Sequence, residues 1–371
     1  MTSARRWTLV AATVALLLVA PFLAGRIPAG HARVSAATLL ARVQSSAGVG
    51  YSGYAQATGG LSLPVTSEFN SLSQLLGGQS TLRVWWRGTR DWRVDSIDLT
   101  GETDVHQDIY GRWTWDYESN TATRTPFLRP DDVRLPRADD LAPPSLARRL
   151  LSQAGSAEVS RLPDARIAGR DAAGLRLRPA QPGSTITRVD IWALPSSGLT
   201  LRVNVYAAAN TRPVVTTSML DVSTDMPAAS AVEFVPPPGA KVREDEITDV
   251  VAAIDQFAPT DPPAMLAGLT RAPGSQVGLG SVGAYGAGVT LLVVLPLPPH
   301  LADSLADQLS KTVAVVDSGD AATLTVGPLN LRLTARADNG ARWLLAGTVT
   351  TATLTRAAGQ LPAINAFDFD R

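Results

Sequence analysis

Residues 81–125 read TLRVWWRGTRDWRVDSIDLTGETDVHQDIYGRWTWDYESNTATRT. Short runs rich in aromatic and β-branched residues follow one another here, with turn signals at Gly88, Gly101 and Gly111 between them. The pattern predicts strands over residues 81–87, 91–99, 103–110, 112–117 and 121–125. Strands of this kind in succession are typical of a meander, and hence of a large antiparallel sheet.

The aromatic residues of this stretch are the candidate binding residues. Trp113, Trp115 and Tyr117 alternate, so we expect them to project from one face of a strand, and Trp86 and Trp92 lie on preceding strands that can neighbour it. An aromatic face on a curved sheet can line an apolar cavity for an acyl chain or an apolar peptide. These five residues are therefore ligand-cavity candidates, and ordinary core packing under helices is the alternative.

The flanking sequence extends the same architecture. Ser35 is placed to cap a helix over residues 36–47, residues 49–58 read as a strand, and an amphipathic insert follows over residues 67–76. Beyond the meander we expect a helix over 144–153 and strands over 157–168, 174–178, 186–194, 199–207 and 214–223. The predicted fold class is α+β, with a curved antiparallel half-barrel sheet covered by helices.

A proline-rich segment divides the chain. Residues 234–239 read FVPPPG, and three successive prolines deny the backbone donors and the helix continuity of a packed element. We therefore expect a first domain over residues 35–240, a linker with a helix over 241–263, and a smaller C-terminal α+β domain over 264–371.

The N-terminal segment predicts export. Residues 7–25 carry no charge and follow Arg5 and Arg6, which favours a cytoplasmic N-terminus and a body outside the cytoplasm. The run is close to the ~20 residues that span a bilayer, which favours a retained single-pass anchor within residues 1–34. Pro21 and the small residues after it leave a cleaved signal, and hence secretion, as the alternative.

Composition argues against several functions. The chain has no Cys and balances 33 basic with 33 acidic residues, so it lacks thiol chemistry and shows no basic footprint for nucleic acid. His31, His106 and His300 match no metal-ligand spacing, and no nucleophile elbow occurs. Gly278, Gly280 and Gly283 fit a dinucleotide fingerprint, but a strand rather than a helix is expected after them, which favours a turn. We expect no catalytic residue, metal or cofactor, and no enzymatic activity.

Several motifs resemble a known family. Residues 51–54 (YSGY), 83–86 (RVWW), 101–104 (GETD), 111–115 (GRWTW) and 234–239 (FVPPPG) are similar to actinobacterial proteins related to LolA and to the sigma-E regulatory protein RseB (MucB). Residues 282–286 (VGAYG) and 343–349 (WLLAGTV) resemble the second domain of the same proteins. The resemblance implies a half-barrel over an apolar cavity, and an envelope protein that binds a lipid, a lipoprotein, a hydrophobic peptide or an anti-sigma factor.

These observations give two expectations for function. The first is a membrane-tethered extracytoplasmic protein whose first domain holds an apolar ligand and whose second domain meets a protein partner such as an anti-sigma factor. The second is a structural or assembly factor of the cell envelope that has no ligand cavity. Trp113 and Trp115, sealed from solvent with no cavity nearby, would favour the second.

Overall fold

The computed structural model describes residues 13, 30, 32–59, 78–97, 101–126, 138–208, 210–244, 260–272, 281–311 and 315–364. Apart from Thr13, the apolar segment 7–25 lies outside the described residues, as do the predicted insert 67–76 and nearly all of the predicted linker helix. Within the described ranges, none of the helices combines the length and the apolar character needed to cross a membrane.

The first part of the chain forms one large sheet. Its strands are β1 (Tyr51–Gly59), β2 (Gln79–Gly88), β3 (Asp91–Ile97), β4 (Glu102–Gln107), β5 (Gly111–Asp116), β6 (Thr121–Pro126), β7 (Val159–Ile167), β8 (Arg170–Leu177), β9 (Ile186–Ala193), β10 (Thr200–Ala207), β11 (Val215–Ser223) and β12 (Lys241–Glu244). The sheet order is β12-β6-β5-β4-β3-β2-β1-β11-β10-β9-β8-β7. The expected large sheet is present, and the five strands predicted between residues 81 and 125 are β2 to β6.

Two helices cover one face of this sheet. α1 (Ala36–Gln44) begins at Ser35, whose hydroxyl accepts a hydrogen bond from the Thr38 amide at 3.1 Å, as the sequence predicted. α2 (Pro143–Leu151) starts with two prolines, which the first turn of a helix tolerates because its amides have no intrahelical acceptor. Buried residues of both helices pack against apolar side chains of β8 to β10, so this helix-covered face carries the core.

The second part of the chain contains a smaller sheet. Its strands are β15 (Gly283–Ala287), β16 (Thr290–Leu297), β17 (Val315–Ser318), β18 (Ala321–Val326), β19 (Leu329–Leu333) and β20 (Arg342–Gly347), in the order β15-β16-β20-β19-β18-β17. A two-stranded hairpin, β13 (Met265–Leu266) and β14 (Leu269–Thr270), precedes it, and α3 (Pro299–Ser310) and α4 (Thr351–Ala358) pack on it. This part is a small α+β unit.

One element corrects the prediction. The glycine-rich region expected to be a turn contains strand β15, and its Gly286 has φ +94°. A Cβ at Gly286 would lie 2.1 Å from the Thr290 carbonyl oxygen, so glycine is required for backbone approach at a strand end. The high glycine content of this region therefore led to the prediction of a turn where the structure has strand β15.

Backbone hydrogen bonds join the two parts. The Thr185 amide donates to the Thr348 carbonyl at 3.0 Å, and the Thr350 amide donates to the Gly183 carbonyl at 2.8 Å. Strand β12 joins β6 in parallel, so Lys241–Glu244 belongs to the large sheet although it lies past residue 240. The domain boundaries themselves stay a prediction.

The segment between β11 and β12 crosses the outer face, which is the face opposite the helices. Arg87 donates a hydrogen bond to the Pro227 carbonyl, and further along the segment Phe234 contacts side chains of β4 and β5. We call residues 224–240 the crossing segment. Its prolines were expected to end a domain, and in the structure they run over the sheet.

Candidate functional site

Three aromatic rings form a row on the helix-covered face. Trp86 on β2 pairs with Trp92 on β3, and the two indoles are stacked, with their centroids 5.8 Å apart and their planes 11° from parallel. Tyr51 on β1 lies opposite Trp86 at 6.3 Å. We call Tyr51, Trp86 and Trp92 the aromatic row. The three residues are cross-strand neighbours on paired strands, and this register brings the rings together.

The aromatic row is closed in this structure. Trp86 is 7% exposed, Trp92 is 4% exposed and Tyr51 is fully buried. The Trp86 indole nitrogen donates to the Ala47 carbonyl at 2.8 Å, which fixes the ring under the turn that follows α1. The row therefore forms part of the core beneath the helices.

Two guanidinium groups lie over the aromatic row. Arg148 of α2 places its guanidinium carbon 4.8 Å from the Trp86 ring centre, and Arg112 of β5 places its own 5.4 Å from that of Trp92. Both distances are within the range of cation–π attraction. An Nη atom of Arg112 also lies 3.6 Å from a carboxylate oxygen of Asp139. The apolar row thus has a positively charged rim.

Several polar atoms of this rim are buried without a hydrogen-bond partner. They are the Tyr51 hydroxyl, Nη1 of Arg148, and Nε and Nη1 of Arg112. Burial raises the pKa of Tyr51, which keeps the phenol neutral, and burial lowers the pKa of Arg148. Buried polar groups in native proteins are nearly always paired, so unpaired donors around one apolar surface indicate a place where a ligand can bind.

A second aromatic group lies on the opposite, outer face. His106 pairs with Trp113 in the β4–β5 register, and Asp104 pairs with Trp115. Phe234 of the crossing segment packs on them, with ring centroids 4.7 Å from His106, 5.6 Å from Trp113 and 6.3 Å from Trp115. These aromatic residues join the crossing segment to the sheet.

Beside this aromatic group, one arginine bridges two buried carboxylates. Arg93 forms two hydrogen bonds with Asp95, at 2.6 and 2.9 Å, and a third with Asp104 at 2.9 Å. Asp95 is fully buried and Asp104 is 2% exposed. Carboxylate oxygens of Asp95, Glu102 and Asp104 lie within 4.8 Å of one another, a donor set that a cation could use. Arg93 already neutralises part of this charge, so the cluster acts first as an ion-pair network.

Two side chains of the outer face, Asp104 and His106, have pKa values shifted from their ordinary ones. Burial and the neighbouring charge of Asp95 raise the pKa of Asp104 to about 7, against the opposing effect of Arg93. Burial lowers the pKa of His106, whose Nδ1–H donates to the Val232 carbonyl at 2.9 Å. Since a carbonyl only accepts, the neutral ring carries its proton on Nδ1, and the buried Nε2 has no partner. This face is thus a polar, proton-sensitive support of the crossing segment.

The structure divides the five residues that the sequence singled out. Trp86 and Trp92 lie together on the helix-covered face, whereas Trp113 and Trp115 lie on the outer face. Tyr117 follows β5 and is 49% exposed, with its ring 5.5 Å from Trp115 in an edge-on contact. Their role as ligand-cavity residues stays a prediction.

Sequence reasoning missed the charged members of both groups. They are Arg93, Asp95, Asp104, Arg112 and Arg148. The sequence held a signal for Asp95, which lies inside a predicted strand. A charged residue within a strand of a large sheet is expected either to be exposed or to form an ion pair. No signal in the sequence places Arg148 over Trp86.

The architecture defines an α+β protein with a large, mostly antiparallel open sheet, helices on one face and a smaller α+β unit. No protein-family model matches the chain, and no curated protein matches it. Among solved structures it is similar to the Pseudomonas aeruginosa MucA/MucB complex, with a TM-score of 0.51 at 16% identity over 89% of this chain and 99% of that chain. It is also similar to MucB in complex with MucA(peri), with a TM-score of 0.50 at 16% identity over 89% of this chain and 100% of that one.

The chain therefore has the fold of MucB, as the RseB-like motifs predicted. A LolA superfamily protein from Nitrosomonas europaea aligns with 54% of this chain and 98% of its own, at 12% identity and a TM-score of 0.25. An actinobacterial origin stays a prediction.

Proposed function

We propose that this chain is a non-enzymatic, membrane-tethered extracytoplasmic protein that binds a lipid, a lipoprotein or a hydrophobic peptide against the aromatic row. The observation that supports this most directly is the stack of Trp86 and Trp92 beneath α2, with two cations at its rim. Since both indoles are buried, binding requires α2 to move away from the sheet, and the ligand then replaces the contacts that the helix made.

The test is native mass spectrometry of the full chain, isolated from membranes under gentle conditions. We expect a co-purifying apolar molecule, which Trp92→Ala loses because its ring forms half of the stacked surface. Trp113→Ala is the matched control, since Trp113 lies on the opposite face of the sheet. If no apolar molecule co-purifies with the wild-type chain and none binds on adding lipid back, ligand binding is wrong.

The protein partner is the second part of the proposal. The two MucB structures compared above were solved with MucA. We propose by analogy that this chain binds and regulates an anti-sigma factor through its smaller sheet. A photo-crosslinking amino acid at Leu291, which is 41% exposed on β16, tests it in intact cells. We expect an adduct with a membrane protein that has a cytoplasmic sigma-binding region. Adducts with lipid alone would contradict this part.

A second candidate function rests on the same burial. With the Trp86 indole hydrogen-bonded to Ala47 and the three rings buried, the aromatic row is packed as core, as expected of an envelope assembly factor that has no ligand. Such a protein would use sheet edges, and β12 is exposed along its whole length. Failure of the native mass spectrometry experiment, together with a crosslink from Val242 on β12 to another envelope protein, would favour this function.

A further inference from the structure

The rim of the aromatic row has more buried donors than the described chain satisfies. Arg148 makes a 3.3 Å hydrogen bond from Nη2 to the Ser145 hydroxyl, and its Nη1 is buried with no acceptor. Within the described residues it forms no ion pair with a carboxylate. A buried guanidinium nitrogen without an acceptor is unfavourable, because its N–H groups have lost water and gained no hydrogen-bond partner.

Tyr51 and Arg112, the other polar residues beside the stacked indoles, also have buried donor atoms without an acceptor. The Tyr51 hydroxyl is fully buried and unpaired, and it is close enough to Arg148 for each to shift the pKa of the other. Arg112, which lies over Trp92, leaves Nε and Nη1 unpaired. Its Asp139 contact, at 3.6 Å, is the one carboxylate contact that the described residues give these two arginines, so among the described residues two cations share one anion.

These donors determine the chemistry of the missing group. Guanidinium N–H groups and a phenol O–H all donate, so the complementary group accepts hydrogen bonds and carries negative charge. The planar fork of arginine fits the oxygen pairs of a carboxylate or a phosphate. The apolar surface between the two arginines is indole, which suits a hydrocarbon chain rather than a small hydrated ion.

We infer that the aromatic row binds an anionic amphiphile, whose carboxylate or phosphate oxygens are held by Arg148, Tyr51 and Arg112 while its hydrocarbon chain lies on Trp86 and Trp92. This inference rests on the proposed apolar-ligand function and names the class of ligand. It also gives α2 a direct part in binding, since the helix that covers the row supplies one of its charges. An uncharged lipid of equal length would gain the apolar contact alone.

The test compares two probes that differ only in charge. The full chain in phosphatidylcholine nanodiscs is irradiated with diazirine-bearing hexadecanoic acid or with the corresponding alcohol, and labelled peptides are located by mass spectrometry. We expect labelling near Trp86 and Trp92 that is about tenfold more efficient for the acid, as one charge-assisted hydrogen bond provides. Raising the salt concentration should reduce labelling by the acid and leave labelling by the alcohol unchanged.

Two variants locate the anion. Arg148→Gln should remove the preference for the acid and keep labelling by the alcohol, and Tyr51→Phe should reduce the preference in part. Arg149→Gln is the matched control, because the side chain of Arg149 on the same helix is 52% exposed and lies 3.4 Å from Asp140. If Arg148→Gln fails to fold, the ratio between acid and alcohol in the wild-type chain and its salt dependence decide the question.

Competition by unlabelled compounds identifies the source of the oxyanion. Displacement by hexadecanoate or by phosphatidylglycerol supports the inference and names a fatty acid or a phospholipid, respectively. Displacement by inorganic phosphate alone, as efficient as by these lipids, would show an oxyanion site without a hydrocarbon subsite and would overturn the amphiphile inference. Equal labelling by acid and alcohol, unaffected by Arg148→Gln, overturns the anion inference and leaves apolar binding standing. If neither probe labels the wild-type chain, the proposed function fails, and the inference fails with it.

Discussion

Asp95 and Asp104 lie directly opposite each other on β3 and β4, and the same arginine, Arg93, binds both. Two carboxylates on one face of a sheet repel each other, and one guanidinium cannot neutralise both. The pair therefore retains a proton more readily than isolated carboxyls do, which gives the outer face its sensitivity to pH.

The first prediction concerns Asp104→Asn. The pKa of Asp104 is raised to about 7 in the folded state, so the folded chain holds this proton more tightly than the unfolded chain does, whose Asp has a pKa of about 4. The stabilisation from the protonated carboxyl is therefore fully present below about pH 4 and is lost as pH rises through about 7. We expect the wild-type chain to lose roughly 1–3 kcal/mol of stability between pH 4 and 7.5 relative to Asp104→Asn, which cannot ionise. Urea unfolding followed by circular dichroism at several pH values measures this. Asp171→Asn is the control at an exposed carboxylate, and equal pH profiles for the wild-type chain and Asp104→Asn would contradict the prediction.

The second prediction concerns Arg93→Met. This substitution leaves two buried carboxylates without their cation, and we expect it to reduce the free energy of unfolding at pH 8 by about 3–5 kcal/mol. Protonation of the pair should recover part of the loss near pH 5. Arg83→Met, which removes an exposed arginine 4.0 Å from Glu102, should cost less than about 1 kcal/mol. Similar losses in the two variants would show that the Arg93 network contributes little.

The third prediction compares two buried tyrosines. The Tyr51 hydroxyl has no partner, whereas the Tyr285 hydroxyl donates to the Pro263 carbonyl at 2.7 Å. Because Tyr51→Phe removes an unsatisfied polar group, we expect no loss of stability in the ligand-free chain. Tyr285→Phe breaks a partly buried hydrogen bond to the Pro263 carbonyl, so a loss of about 1–2 kcal/mol is expected. Thermal unfolding of both variants would settle the comparison, and a larger loss for Tyr51→Phe would reverse it.

The fourth prediction concerns Phe234→Ala. The ring of Phe234 packs on His106, Trp113 and Trp115, and losing it should cost about 1–3 kcal/mol, less than for a fully buried phenylalanine because the residue is half-buried. We also expect faster limited proteolysis within residues 224–240, since this ring holds the crossing segment to the sheet. Val235→Ala is the neighbouring control, as Val235 is 74% exposed. Unchanged proteolysis of Phe234→Ala would show that other contacts hold the segment.

The strands were predictable because strand signals are local. Alternation and glycine-containing turns place β2 to β6 within a few residues, and Ser35 marks the start of α1 by its hydroxyl. The strands β12, β13, β14 and β17 were not found because each is short, and β15 was expected to be a turn because it is rich in glycine.

The relation between strands was not predictable in the same way. Period-two alternation assigns residues to faces within one strand, but the face shared by two strands depends on register, and one residue in a turn reverses it. Trp86 is paired with Trp92, and Trp92 is paired with Gln107 on β4. Trp113 is paired instead with His106, the residue before Gln107, so it points to the opposite face. The five aromatic residues consequently separate onto two faces. The charged members of the site come from elements far apart in sequence, as Arg148 and Trp86 do.

The crossing segment has a mechanical consequence. It leaves the sheet at β11 and rejoins it at β12, with β1 to β6 between them in the sheet order, a span of roughly 34 Å at ordinary strand spacing. If those strands curl or flatten, the distance that the crossing segment must span changes. Phe234 holds the middle of the segment against β4 and β5. The bend of the surface that carries Trp86 and the position of β12 at the sheet edge are therefore linked by a fixed length of chain.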